Sequence, residues 1–176
     1  VGALKALKEN GVDLAGKKVL LLGAGGAAKA IAFHAAQEAE ELTILNRTAE
    51  RAKRLEEFLH RKFDRMIEGN ELSASLIKEE LKESDILINA TSVGMYPNID
   101  QTLIDPEWLR PDLCVMDIVY NPIETILAKD AKSIGAKVIS GIEMLIYQGA
   151  ASFEVWTNYP APIKVMRQAV LNELLR

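Results

Sequence analysis

The sequence predicts an α/β protein: a doubly wound, mostly parallel sheet of six strands with helices on both faces. Three observations lead there. Short aliphatic runs alternate with helical patterns along the whole chain, which is how parallel strands with crossover helices are written. The run Val19-Leu20-Leu21-Leu22 enters the glycine cluster Gly23-Ala24-Gly25-Gly26, as a buried strand does when it turns sharply into a helix. That turn follows the first strand of six, which predicts the strand order 3-2-1-4-5-6.

Taken in order, Val1 to Glu9 reads as a short amphipathic helix with Val1, Leu4 and Leu7 on one face, stopped by Asn10-Gly11. Lys18 to Leu22 is the first strand. The helix after the glycines runs to about Glu38, rich in alanine and carrying Ile31 and Phe33. Glu41 to Leu45 is the second strand, and Thr48 is placed to cap a helix reaching about Arg61. Arg65 to Ile67 reads as a short third strand, Ser73 to Lys82 as a helix and Asp85 to Asn89 as the fourth strand. A long polar segment with Pro97, Pro106 and Pro111 leads to a fifth strand, Leu113 to Val119, which Tyr120-Asn121-Pro122 breaks. A helix over about Thr125 to Ser133, a sixth strand over Lys137 to Ser140 and a helix over about Glu143 to Trp156 follow. Ile163 to Leu175 is the last helix, with Val165, Ala169 and Leu171 or Asn172 at helical spacing.

At 176 residues the chain has the size of one domain, able to bury a substantial core. A net charge of −4 points to neither nucleic acid nor an anionic membrane. No apolar run approaches a membrane span, and no signal peptide is visible. The single cysteine, Cys114, sits in an apolar run and reads as a buried thiol, which suits a reducing cytoplasm. The chain starts at Val1 within a helical pattern and so reads as a piece of something longer.

The spacing Gly23-x-Gly25-x-x-Ala28 fits a dinucleotide-binding turn of the Rossmann-like kind. Gly23 permits the tight turn, Gly25 admits a pyrophosphate to the backbone, and Ala28 lets helix and strand pack closely. The helix N-terminus then offers free N–H groups to an anion. An ordinary strand-to-helix turn would use similar residues. The end of the second strand separates the two readings. An NAD site usually places a carboxylate there; this chain has Asn46-Arg47-Thr48, with Arg51 one turn on. A guanidinium attracts a 2′-phosphate that a carboxylate would repel, so the arrangement favours NADP(H) unless both arginines are merely solvated.

Four further stretches carry a resemblance: Asn89-Ala90-Thr91-Ser92-Val93-Gly94-Met95, Asp117-Ile118-Val119-Tyr120-Asn121-Pro122-Ile123-Glu124-Thr125, Gly141 to Ala150, and Phe153-Glu154-Val155-Trp156-Thr157. With the glycine turn and Asn46-Arg47-Thr48, they resemble the cofactor half of the shikimate dehydrogenases in order and spacing, over essentially the whole chain. The resemblance implies reversible reduction of 3-dehydroshikimate to shikimate with NADPH, on the route to aromatic amino acids. It implies that Gly23, Ala24, Gly25, Gly26 and Ala27 hold the pyrophosphate, and that Asn46, Arg47, Thr48 and Arg51 clamp the 2′-phosphate. By the same likeness Thr91, Ser92 and Met95 lie along the cofactor, Gly141 offers a backbone carbonyl to the carboxamide, and Tyr120 and Gln148 reach the substrate.

The whole chain, 1–176, is then one NADP-binding domain, with a connecting helix at about 1–9 and C-terminal helices over about 143–176. The family's lysine and aspartate catalytic pair lies on an N-terminal substrate domain, and neither has a counterpart here. No residue of this chain is therefore a catalytic candidate. His34 and His60 read as ordinary helical histidines, Asp117 as a buried, paired carboxylate, and no cluster has metal-ligand spacing. The expected partners are a small-molecule substrate shared with that other domain, and a second copy if the last helix leaves an apolar face open. A relative acting also on quinate, and a non-catalytic dinucleotide-binding module, are the alternatives.

Overall fold

The computed structural model describes residues 2–174. Its element order is α1 (Gly2–Glu9), β1 (Lys18–Leu22), α2 (Gly26–Glu38), β2 (Glu41–Asn46), α3 (Ala49–His60), β3 (Met66–Glu71), α4 (Ala74–Leu81), β4 (Ile86–Asn89), β5 (Cys114–Asp117), α5 (Ile126–Ser133), β6 (Lys137–Ser140), α6 (Gly141–Thr157) and α7 (Ile163–Leu174). The six strands form one sheet in the order β3-β2-β1-β4-β5-β6. Every pairing is parallel, so the sheet is wholly rather than mostly parallel.

The central strands explain themselves. Leu20, Leu21 and Leu22 of β1 are all fully buried, because helices cover both faces. Burying one such leucine is worth about 1.5–3 kcal/mol. Leu21 joins a cluster with Ala28, Ile31, Ala32 and Ala35 of α2. Leu20 and Leu22 face the opposite cluster with Ile77, Leu81, Leu127 and Ala131. The small side chains of α2 let it lie close to the sheet; Phe33 is only half-buried, against the rings of Phe58 and Phe63.

Several expectations move. The buried face of α1 is Gly2, Ala3, Ala6 and Leu7, with Leu4 only half-buried; Val1 lies outside the described residues. Close approach to α6 is the reason: a Cβ on Gly2 would stand 2.7 Å from the Met144 carbonyl oxygen. The third strand is longer than Arg65–Ile67, running from Met66 to Glu71 against the whole of β2. Its polar residues hid it, since it is an edge strand whose order comes from ladder bonds. The fifth strand is shorter, because the chain leaves the sheet after Asp117. The polar 97–112 segment holds one short 3-10 helix, Pro106–Trp108, and tucks Ile104 and Leu109 into the core. Helix α6 begins at Gly141, directly from β6. In α7, Val165, Ala169 and Asn172 face outward and Leu171 is half-buried; Ile163 and Met166 are among the residues turned inward. The last residues of that expected helix, 175–176, lie outside the described residues.

Candidate functional site

Carboxyl ends of parallel strands are where open α/β sheets bind ligands, and here β1, β2, β4 and β5 all end on one side. Leaving β1, Gly23 has φ of 110°, and a Cβ there would come within 2.7 Å of the Ala90 carbonyl oxygen. Only glycine fits. Its N–H donates to the Leu45 carbonyl at 2.7 Å, which fixes the turn against β2. Gly25 and Gly26 differ: nothing lies within 4 Å of a Cβ at either. Their smallness serves no contact inside the fold and leaves the backbone open to an incoming group. Gly25 occupies the N-cap of α2 and supplies no side-chain cap, so the helix's first N–H groups remain available to an anion.

Asn46 ties the second strand to this turn. Its Oδ1 accepts from the Ala24 N–H at 3.1 Å, and its Nδ2 donates to the Thr48 carbonyl at 2.9 Å. Thr48 sits at the N-cap of α3, but its hydroxyl makes no capping bond, contrary to the role its position suggests. Arg47, Thr48 and Arg51 are exposed. Gly23, Ala24, Gly25, Asn46, Arg47, Arg51, Thr91 and Ser92 line one cleft of about 330 Å³. No carboxylate is on its wall.

The far wall is held from beneath. Asn89 and Asp117, side by side at the ends of β4 and β5, are both buried. Asn89 Nδ2 donates to Asp117 Oδ1 at 3.0 Å, while Thr125 Oγ1 donates to Asp117 Oδ2 at 2.7 Å. The Val119 N–H also donates to Asp117 Oδ1. Asn89 Oδ1 in turn accepts from the Thr91 hydroxyl at 2.7 Å and from the Thr91 N–H. Thr91 Oγ1 then accepts from the Val93 N–H. Burial pushes the Asp117 carboxyl above its ordinary range, against the lowering effect of the bonds from Thr125, Val119 and Asn89. Asp117 has no opening to a ligand in these contacts and serves as a positioning residue. The sequence showed it as buried and paired; it did not show its partners, whose sign is that two aliphatic strands each end in a polar residue.

The remaining expected residues do not share the cleft wall. Gly26 and Ala27 open onto a neighbouring cavity of about 680 Å³ with Gln148, Met144 and Ser152, between α1, α2 and α6. Gln148 is exposed there. Gly141 is buried at the β6–α6 junction, where a Cβ would overlap the carbonyl oxygens of Ile118 and Val119. Met95 and Tyr120 stand exposed on the loops after β4 and β5, which the Tyr96 N–H joins by donating to the Asn121 carbonyl at 3.0 Å. His34 bonds Gln37 and His60 bonds the Ile67 carbonyl, so both are surface helix residues. Burial pushes the Cys114 thiol up to about 11, an inert buried thiol. Among the described residues no group of His, Cys, Asp or Glu could hold a metal, and no helix is long and apolar enough to cross a membrane.

A parallel sheet in this order, a glycine turn opening on an uncapped helix, and a basic end to the second strand define the Rossmann-like class of dinucleotide-binding folds. The family model for shikimate/quinate 5-dehydrogenase matches residues 5–106, and that for the shikimate 5′-dehydrogenase C-terminal domain matches residues 141–171. The chain belongs to the shikimate/quinate dehydrogenase family. Shikimate dehydrogenase (NADP(+)) of Methanosarcina acetivorans is 47% identical over 175 residues, covering 99% of this chain and 62% of that protein. The crystal structure of shikimate 5-dehydrogenase from Listeria monocytogenes with shikimate and NAD is 36% identical, with a TM-score of 0.90 over 96% of this chain and 61% of that one. A shikimate dehydrogenase crystallised with NADP+ is 40% identical, with a TM-score of 0.88 over 98% of this chain and 60% of that one. The chain thus spans about three-fifths of the length of these relatives.

Proposed function

We propose that residues 1–176 are the NADP(H)-binding domain of a shikimate dehydrogenase, which reversibly reduces 3-dehydroshikimate to shikimate in aromatic amino-acid biosynthesis. One observation carries the cofactor choice: Arg47 and Arg51 line the glycine cleft with no carboxylate on its wall. The relatives include one structure with NAD and one with NADP+, so the fold alone accommodates either, and the basic β2 end favours the 2′-phosphate.

In this reading the backbone at Gly23, Ala24, Gly25, Gly26 and Ala27 receives the pyrophosphate at the start of α2. Asn46 holds the β2 end in place, and Arg47, Thr48 and Arg51 clamp the 2′-phosphate. Thr91, Ser92 and Met95 guide the cofactor over β4, and Gly141 meets the carboxamide. Tyr120 and Gln148 face the substrate, with the 680 Å³ cavity beside Gln148 continuing from the glycine turn. Bound NADPH supplies the hydride. Protonating the developing alkoxide requires a general acid. Asp117 is sequestered and both histidines lie away from the strand ends; the family likeness puts that acid on a substrate domain. That domain and a small-molecule substrate are the proposed partners, a reducing cytoplasm the proposed setting.

The test is a fluorescence titration with NADPH and an assay of shikimate-dependent NADPH formation, both on this chain. Saturable binding with little or no turnover is expected. Measurable turnover would remove the assignment of the acid to another domain, and absence of binding would remove the reading itself.

A further inference from the structure

A second groove, of about 760 Å³, runs between α2 and α3 beside the cofactor cleft. Its wall carries Lys29 from α2, Arg51 and Arg54 from α3 and Arg61 at the C-cap of α3, against one carboxylate, Glu57. The backbone of Ala24, Gly25 and Gly26 closes one end, so the uncapped N-terminus of α2 adds its partial positive charge. Among the described residues, none of these four cations has an ion pair or a side-chain hydrogen bond, and all four are exposed. Lys53, on the same helix but off this wall, is paired with Glu56 at 3.0 Å. Seven other cations, from Lys5 to Arg167, likewise have carboxylate partners. A concentration of unneutralised positive charge in a chain of net charge −4 therefore lies in one groove.

The groove is also too long for one phosphate. Arg61 follows Arg51 by ten residues, about 15 Å along the helix at 1.5 Å per residue. Arg51 lines both the groove and the glycine cleft, whereas Arg54, Arg61 and Lys29 line the groove and not that cleft.

We propose that the α2–α3 groove is a second anion site, which takes a linear polyphosphate chain, free or carried on a nucleoside. Its phosphates lie along Lys29, Arg51, Arg54 and Arg61. Because Arg51 is shared, occupancy of the groove opposes binding of a cofactor that carries a 2′-phosphate; this coupling rests on the function proposed above, while the site itself rests on the groove.

The experiment is calorimetry of the whole chain with sodium triphosphate, with ATP, and with sodium chloride at matched ionic strength. Saturable one-to-one binding of triphosphate is expected, with ATP bound at least as well. Triphosphate raises the apparent Kd for NADPH by more than it raises that for NADH, since both cofactors share the Ala24–Gly26 backbone with the groove and only NADPH shares Arg51. In Arg54→Gln/Arg61→Gln, triphosphate affinity falls roughly tenfold or more while NADPH affinity stays within about twofold. Circular dichroism confirms that this surface variant keeps its fold. The proposal is overturned if triphosphate shows no saturable binding, if only ATP binds, or if binding survives in the double variant. It is equally overturned if the variant loses NADPH affinity in step, since the groove is then part of the cofactor clamp. Equal affinity for NADPH and NADH in the unmodified chain would instead remove the 2′-phosphate reading and its coupling, and the direct triphosphate titration still decides the groove.

Discussion

Two glycines of the same turn do opposite work. Gly23 is required by the fold, through its φ of 110° and the Ala90 carbonyl, whereas Gly25 has extended backbone (φ −78°, ψ −171°) and open space around it. Gly23→Ala is expected to cost about 2 kcal/mol or more in urea unfolding. Gly25→Ala should leave stability within about 0.5 kcal/mol, while NADPH affinity falls roughly tenfold or more because a methyl group meets the pyrophosphate. Asp117 gives a second residue-level test. Asp117→Ala strands the Asn89 amide, the Val119 N–H and the Thr125 hydroxyl, at a cost of about 3 kcal/mol. Its pH dependence has a definite sign. The folded carboxyl titrates above its ordinary value of 3.8, so its favourable contribution is complete below that value and is lost as pH rises through the folded pKa. The stability of Asp117→Asn relative to the unmodified protein should therefore improve as pH is raised from below 4 towards neutrality, measured by urea unfolding at each pH. The glycine spacing was legible because motif and turn are local. The Asn89–Asp117–Thr125 set was not, since it depends on strand register.

Among the elements, α7 is the least secured. It has no buried residue, and Val165 is 67% exposed. Its firmest tie is Arg167, whose Nε and Nη2 donate to the two carboxylate oxygens of Glu143 at 3.0 and 2.7 Å. Arg167→Ala should speed amide exchange across α7 and leave β1, β4 and β5 protected, as hydrogen-exchange mass spectrometry would show; loss of protection in the central strands would contradict this. Sequence periodicity found α7 without settling its inward face, and in α1 it named Leu7, which is buried, together with Leu4, which is only half-buried. Both helices pack against a helix rather than the sheet, and small residues such as Gly2 and Gly149 set those contacts. Strands β1 and β6 were legible to the residue because aliphatic runs bounded by turns leave little freedom. The polar edge strand β3 was legible only in its first two residues, since the rest carries no aliphatic run and the strand is held by pairing with β2.

Across the whole molecule, topology gathers the ends of β1, β2, β4 and β5 on one side, and the motifs after β1, β2 and β4 line a single cleft. The strand order was legible because five of the six motifs follow a strand end in a fixed sequence. The cavity beside Gln148 and the α2–α3 groove were not, because the first is bounded by helices far apart in the chain and the second depends on which faces two successive helices turn to each other. In the function proposed above, the basic end of β2 selects a 2′-phosphate. The measurement that reaches it most directly is calorimetric titration of the unmodified chain and of Arg47→Ala with NADPH and with NADH. A roughly ten- to hundredfold preference for NADPH is expected, and it collapses in the variant while NADH affinity is unchanged. Equal affinity for the two cofactors, or a preference that survives loss of Arg47, would contradict it.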